Sequence, residues 1–455
     1  MKALRNALLG AVLLVAALAL LVDWLNVRGE DALTTASTTA MDGRAPTASS
    51  ATTATTLDAV QVARGAYLAR AGNCMGCHTA TGAPAYAGGR GVPTPFGTIY
   101  APNLTPDVAT GLGAWSAAEF WRALHHGRSR DGHLLYPAFP YPNYTLVTRA
   151  DSDALHAFLR SLPAVVQANK AHDLSFPFNQ QAALAVWRAL YFRAAEFAPQ
   201  AERSAEWNRG AYLVEGLGHC NACHASRNAL GATQNPLDLA GGLIPVQNWY
   251  APSLASAAEA GVADWDVQDI VALLKTGIAA PNGQHVAVAG PMSEVVSGAT
   301  QHLSEPDLQA IAHFLKVLPQ IDPVSWVSAS AAAALDSAGA SDQPALDASA
   351  GGKLYAQHCA QCHGATGAGV AGIYPALAGA RAVTMRTPAN LVHLVIEGGF
   401  APATAGNPRP FGMPPYATVL NDADVAHVLS FIRASWGNRS DPVTALEVTR
   451  YRSAR

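Results

Sequence analysis

Outside three short motifs the chain has no cysteine at all: six stand in 455 residues, and none is left over for a disulfide framework, a zinc cage or a catalytic thiol. Charge is also sparse. Charged residues make up 13% of the chain, and the formal net charge is −3 with no basic run, which leaves nothing to neutralise a phosphate backbone and excludes nucleic acid as a partner. No Ser-His-Asp arrangement, no glycine-rich dinucleotide loop following a strand, and no molybdenum or quinone-cofactor signature is present. The one G-x-x-G-x-G run, Gly364 to Gly369, follows a cysteine motif instead of a strand, which is the wrong context for a nucleotide. Methionine is scarce, six in all, so each one carries information.

All six cysteines lie in C-x-x-C-H motifs: Cys74, Cys77 and His78; Cys220, Cys223 and His224; Cys359, Cys362 and His363. This spacing puts two thiols and an imidazole on one helical turn. The sulfurs can add across the two vinyl groups of a haem, and the histidine becomes the proximal iron ligand. The expectation is three covalently bound haem c groups. A redox dithiol would sit in a β-α-β pattern, and zinc would need thiol pairs brought together; neither fits three remote repeats.

The motifs recur with their surroundings. Arg64-Gly65-Ala66-Tyr67-Leu68 precedes the first and Arg209-Gly210-Ala211-Tyr212-Leu213 the second, with the looser Gly352-Lys353-Leu354-Tyr355 before the third. Tyr100-Ala101-Pro102-Asn103-Leu104 is echoed by Tyr250-Ala251-Pro252-Ser253-Leu254. Ser116 with Glu119 has capping-box spacing, and Asp266 is a good N-cap. A middle helix is therefore expected to open at each and to end at Gly127 or Gly277. In the third repeat the middle helix is expected to start at Thr387-Pro388, with proline at the first helical position, and to end before Gly398. Each repeat closes on an apolar stripe at helical spacing: Leu155, Phe158, Leu159 and Leu162; Ile311, Phe314, Leu315 and Leu318; Val428, Phe431 and Ile432.

Around the repeats, an apolar run from Ala7 to Val22 follows Lys2 and Arg5 and carries no small-residue cleavage site before Arg28, which reads as an uncleaved anchor in place of a signal. Residues 1–31 are assigned to that anchor or signal and 32–58 to an Ala/Thr/Ser tether. Domain 1 covers 59–175, a helical bridge 176–203 and domain 2 residues 204–322. An Ala/Ser-rich linker at 323–350, domain 3 at 351–440 and a tail at 441–455 complete the chain. The fold class expected is all-α, three tandem cytochrome c-like domains of class I with an N-terminal membrane anchor.

The repeat also points to sixth ligands. Met292, fifteen residues after Gly277, and Met413, fifteen after Gly398, are expected on the distal face of the second and third haems. In the first repeat Phe139 holds that slot and cannot bind iron. His133 is the nearest substitute there, with His125 and His126 as weaker alternatives.

With these motifs, with the run from Thr94 to Asp107, with Leu135 to Tyr141 and with Glu206 to Tyr212, the sequence resembles the membrane-bound triheme cytochrome c subunits of bacterial dehydrogenases. The resemblance covers residues 57–438. It implies a chain anchored in the cytoplasmic membrane with its domains in the periplasm, not catalytic by itself. Electrons would arrive from a dehydrogenase catalytic subunit and leave toward ubiquinone or a terminal oxidase. The competing function is a multihaem enzyme, of peroxidase or sulfur-compound oxidoreductase type, acting at an open-coordinated first haem.

Overall fold

The computed structural model describes residues 2–28, 30, 58–233, 238–320 and 343–452. The expected tether, save its last residue, and the expected linker up to residue 342 lie outside the described residues; the end of the linker region holds a short helix, Gln343–Ala348. Contacts divide the chain into two compact units, one made of Met1–Leu68 and Cys77–Ala198, the other of Ala69–Gly76 and Pro199–Arg455.

The first unit begins with α1 (Lys2–Val27). At about 1.5 Å per residue its 26 residues outreach the roughly 30 Å hydrocarbon layer of a bilayer. Then come α2 (Ala59–Ala71), α3 (Ala117–His126), α4 (Arg149–Ser161) and α5 (Gln181–Tyr191). The capping box of α3 forms as the sequence demands: the Glu119 amide donates to the Ser116 hydroxyl, and the Glu119 carboxylate accepts from the Ser116 amide at 2.8 Å. The helix stops at Gly127, whose φ of 58° is left-handed, a conformation glycine adopts without a Cβ penalty. The closing helix α4 turns Leu155 and Leu159 into the core. It meets α2 at Gly65, where a Cβ would lie 1.9 Å from the Ala154 carbonyl oxygen; only glycine permits that approach. Arg64 Nε donates to buried Asp151 at 2.7 Å beside the crossing.

The second unit contains two runs of the same element order. In the first, α6 (Ala205–Ala211) passes into a π-helical turn, Tyr212–Leu217, and is followed by α7 (Val267–Thr276), α8 (Pro291–Gly298) and α9 (Glu305–Lys316). Gly210 repeats the close approach, since a Cβ there would lie 2.0 Å from the Ala310 oxygen, and Arg209 grips Asp307 with two hydrogen bonds of 2.7 and 2.8 Å. The second run is α10 (Ala350–His358), α11 (Ala389–Glu397), α12 (Asp422–Ala434) and α13 (Ala445–Arg452). Here a Cβ on Gly351 would lie 2.2 Å from the His427 carbonyl oxygen. Tyr355, Val392, Val425, Leu429 and Phe431 form a closed apolar core.

Two local expectations shift. Pro388 stands at the N-cap of α11, one position before the helix, with the Thr387 hydroxyl accepting from the Ala389 amide at 3.3 Å. Asp266 has the extended backbone of a cap, but its side chain makes no capping bond. The chain is predominantly helical with short strands added, since the loops after the cysteine motifs pair with one another. Gly91–Thr94, Gly97–Tyr100 and Asp173–Leu174 make a three-stranded antiparallel sheet, and Gly242 pairs with Ala251.

Candidate haem sites

Each cysteine motif ends on one turn of helix, Cys74–His78, Asn221–His224 with Cys220 as its cap, and Ala360–His363 with Cys359 as its cap. All six thiols are free of disulfides. Among the described residues no three His, Cys, Asp or Glu side chains are grouped as they would be to hold a metal ion. Burial pushes the Cys220 thiol up to about 12 and the Cys359 thiol up to about 11.

The histidines are oriented the same way three times. His78 Nδ1 is 2.8 Å from the Pro102 carbonyl oxygen, His224 Nδ1 2.7 Å from that of Pro252, and His363 Nδ1 3.0 Å from that of Pro375. A carbonyl can only accept, so Nδ1 carries the proton and Nε2 is left with a free lone pair. A carbonyl hydrogen-bonded to the far nitrogen in this way fixes the tautomer and ring angle of a metal-binding histidine and raises its basicity. Desolvation lowers the proton affinity of all three imidazoles, which keeps them neutral and able to ligate. The residues fit a haem c: two cysteines for the thioether bonds, and Nε2 of the following histidine for the iron. Such a group supplies one-electron chemistry, its iron cycling between ferrous and ferric.

The expected distal residues fall on loops and helix starts. Met292 is half-buried in the first turn of α8, after Gly290 with φ 56°. Met413 lies on a two-residue strand paired with Gly399 and packs against the third core. Phe139 is half-buried with its ring 5.3 Å from that of Tyr144. His133 sits in a turn between Arg128 and Leu134, half its side chain exposed, with Nδ1 bonded to Asp131. His125 and His126 are buried at the end of α3, 5% and 4% exposed.

Sequence reasoning missed the three proline carbonyls, although the repeated Tyr-Ala-Pro runs carry two of them. It also missed Asn390. The side chain of Asn390, on α11, accepts from the Tyr250 amide and donates to the Tyr250 carbonyl, both at 2.8 Å. Tyr250 is two residues from Pro252, so Asn390 pins the segment that orients His224.

The cytochrome c family model matches residues 62–163 and 348–436. The chain is 39% identical to the cytochrome c subunit of the quinone alcohol dehydrogenase of Gluconacetobacter polyoxogenes, over 87% of this chain and 85% of that protein. It is 37% identical to the gluconate 2-dehydrogenase cytochrome c subunit of Pantoea cypripedii, over 86% and 89%. It is also 38% identical to a diheme cytochrome c-type protein of Cereibacter sphaeroides, over 58% of this chain and 87% of that protein. The chain belongs to the cytochrome c family, among relatives that are the cytochrome c subunits of alcohol, gluconate and fructose dehydrogenases. Covalently bound haem c is the cofactor of that family, which supports electron transfer, and the dehydrogenase relatives carry it in their cytochrome subunits.

Proposed function

We propose that this chain is a three-haem relay that takes electrons from a periplasmic dehydrogenase catalytic subunit and delivers them to ubiquinone or a terminal oxidase. The observation that carries the count of three is the thrice-repeated pairing of a motif histidine Nδ1 with a proline carbonyl. In this reading residues 59–175, 204–322 and 351–440 each enclose one haem. Cys74, Cys77, Cys220, Cys223, Cys359 and Cys362 bind them, and His78, His224 and His363 are the proximal ligands. Met292 and Met413 complete the second and third irons, and His133 the first.

In the same reading α1 is a retained anchor, with Lys2 and Arg5 on the cytoplasmic side and the haem domains outside. Its far end is built into the first unit, which supports retention. Asn26 is 8% exposed, donates to the Ala185 carbonyl at 2.9 Å, and accepts from Arg188 Nε at 2.9 Å. Glu30 pairs with Arg128 at 2.9 Å. Removing this segment would strip a buried guanidinium of a partner, which is costly.

The test is purification from native membranes. Three haems per chain after denaturation are expected, together with a co-purifying large subunit whose substrate reduces them. Two haems per chain, or turnover of a small substrate by the isolated chain, would overturn the reading.

A further inference from the structure

Inside the second unit two repeats touch, and the contact falls on the segments that flank the second cysteine motif. Gly242-Leu243 and Tyr250-Ala251 pair as a short hairpin. Its turn holds two residues other than glycine in the left-handed region, Val246 at φ 67° and Asn248 at φ 56°. A β-branched residue is strained there, and such strain persists only where the surroundings over-determine the backbone. Part of that constraint comes from the third repeat. Asn390 on α11 bonds both backbone groups of Tyr250 at 2.8 Å. Three residues on, on the same face of the helix, His393 stacks on Trp249 with centroids 4.9 Å apart and planes at 17°.

The same indole covers Gly290. A Cβ on that glycine would lie 2.7 Å from Cε3 of Trp249, and its φ of 56° turns the chain straight into α8, whose second residue is Met292. Trp249 therefore touches both the third repeat and the turn that presents Met292. In the first repeat Ile99 stands at the position of Trp249 and pairs with Val92. His393 is an expensive choice if packing were its whole task. It is 6% exposed, its Nδ1 lies 3.4 Å from the Glu397 carboxylate, and its Nε2 is buried with no protein partner. A leucine would fill the space without an unmet polar atom, so what the imidazole adds is a flat ring to lay on the indole.

We propose that His393 is a positioning residue for the second haem: through Trp249 it holds the turn before Met292, so the third repeat keeps a ligand of the second in place. The inference rests on the ligand assignment of the relay reading above and adds a residue to it. Asn390 acts on the proximal side, through Tyr250 and the Pro252 carbonyl that orients His224. His393 acts on the distal side. One face of α11 thus governs both axial groups of a neighbouring repeat. The consequence is measurable, because an external ligand replaces a methionine only when the methionine's loop opens, and its apparent affinity scales with the fraction of molecules in which the loop is open.

The experiment uses the full chain with its haems, oxidised and in detergent. Free imidazole is titrated in while the long-wavelength charge-transfer band of methionine-ligated ferric haem is followed. The part of that band missing in Met292→Gln belongs to the second haem. In His393→Leu this part should be bleached at about tenfold lower imidazole than in the wild type, while the part due to Met413 stays where it was. His393→Phe, which keeps a flat ring on the indole, should return the midpoint to within about twofold of the wild type. An unmoved midpoint in His393→Leu overturns the inference and leaves the ligand assignment standing. An equal shift of both parts, the mark of a third repeat that has merely loosened, overturns it as well, and so does a phenylalanine that behaves like leucine. If Met292→Gln removes no part of the band, the ligand assignment fails and the inference with it. Should His393→Leu lose haem, Trp249→Leu breaks the same contact from its half-buried side and carries the same expectation.

Discussion

The middle helices of the first two repeats begin alike and end differently. Both run ten residues into a left-handed glycine, Gly127 or Gly277. The two positions before that glycine are His125 and His126 in one, and Lys275 and Thr276 in the other. Lys275 reaches outward to Glu305 at 3.0 Å, and the Thr276 hydroxyl donates to the Ala272 carbonyl at 2.8 Å. Both are satisfied within their own repeat. The histidines are buried, and Nδ1 of His125 and Nε2 of His126 have no protein partner. A common scaffold was kept where the helices cross and altered where the first repeat meets the end of α1, so the crossing serves the fold and the helix end serves something else.

The largest effects should be shared by both repeats. Gly65→Val and Gly210→Val each drive a side chain into a carbonyl oxygen, 1.9 Å from Ala154 and 2.0 Å from Ala310, and each should cost about 3 kcal/mol. Denaturant titrations followed at the haem band would check this; a tolerated valine in one repeat would break the equivalence. Next comes a change with no counterpart in the second repeat. Asn26→Ala removes the side-chain partner of buried Arg188 and should lower stability by about 1–3 kcal/mol, seen as an earlier denaturation midpoint. An unchanged midpoint would mean that α1 is only laid against the unit.

Acid should separate the two helix ends further. The unfolded chain protonates His126 near 6.5 and the folded one only near 3. The unfolded state therefore binds more protons, and stability falls as pH drops from about 6.5 toward 3. His126→Gln should flatten that slope between pH 7 and 5 in denaturation measured across the range, and no such change should follow Thr276→Gln. Smaller effects concern the irons. Methionine ligation raises a haem potential, so on the three-haem ligation proposed above the first haem should titrate below the other two, and Phe139→Met should raise it. In a spectroelectrochemical titration Asn390→Ala, which loosens the segment carrying Pro252, should weaken the His224 hydrogen bond. That lowers the basicity of the ring and nudges the second haem's potential upward.

What could be read from the sequence was what short stretches decide. The cysteine motifs, the Ser116 and Glu119 cap, the terminal glycines and the stripes of α4, α9 and α12 depend on spacings of seven residues or fewer, and they formed as expected save for small shifts at Asp266 and Pro388. The rest hangs on closure of the chain. His78 finds its carbonyl 24 residues on and His224 finds its own after 28. Nothing near Asn390 announces that its partner is Tyr250, 140 residues earlier. His125 and His126 looked like weak iron ligands because sequence shows residue type and not surroundings; only the approach of α1 and α5 makes them the floor of a cleft.

The bonds of Asn26 set an order on how the molecule is made. Its partners, Ala185 and Arg188, lie 159 and 162 residues further along. Asn26 is made well before the residues that bond it, so these bonds close only after a long further stretch of chain has been added. The end of α1 therefore takes its place in the first unit only once residues 185–188 stand beside it.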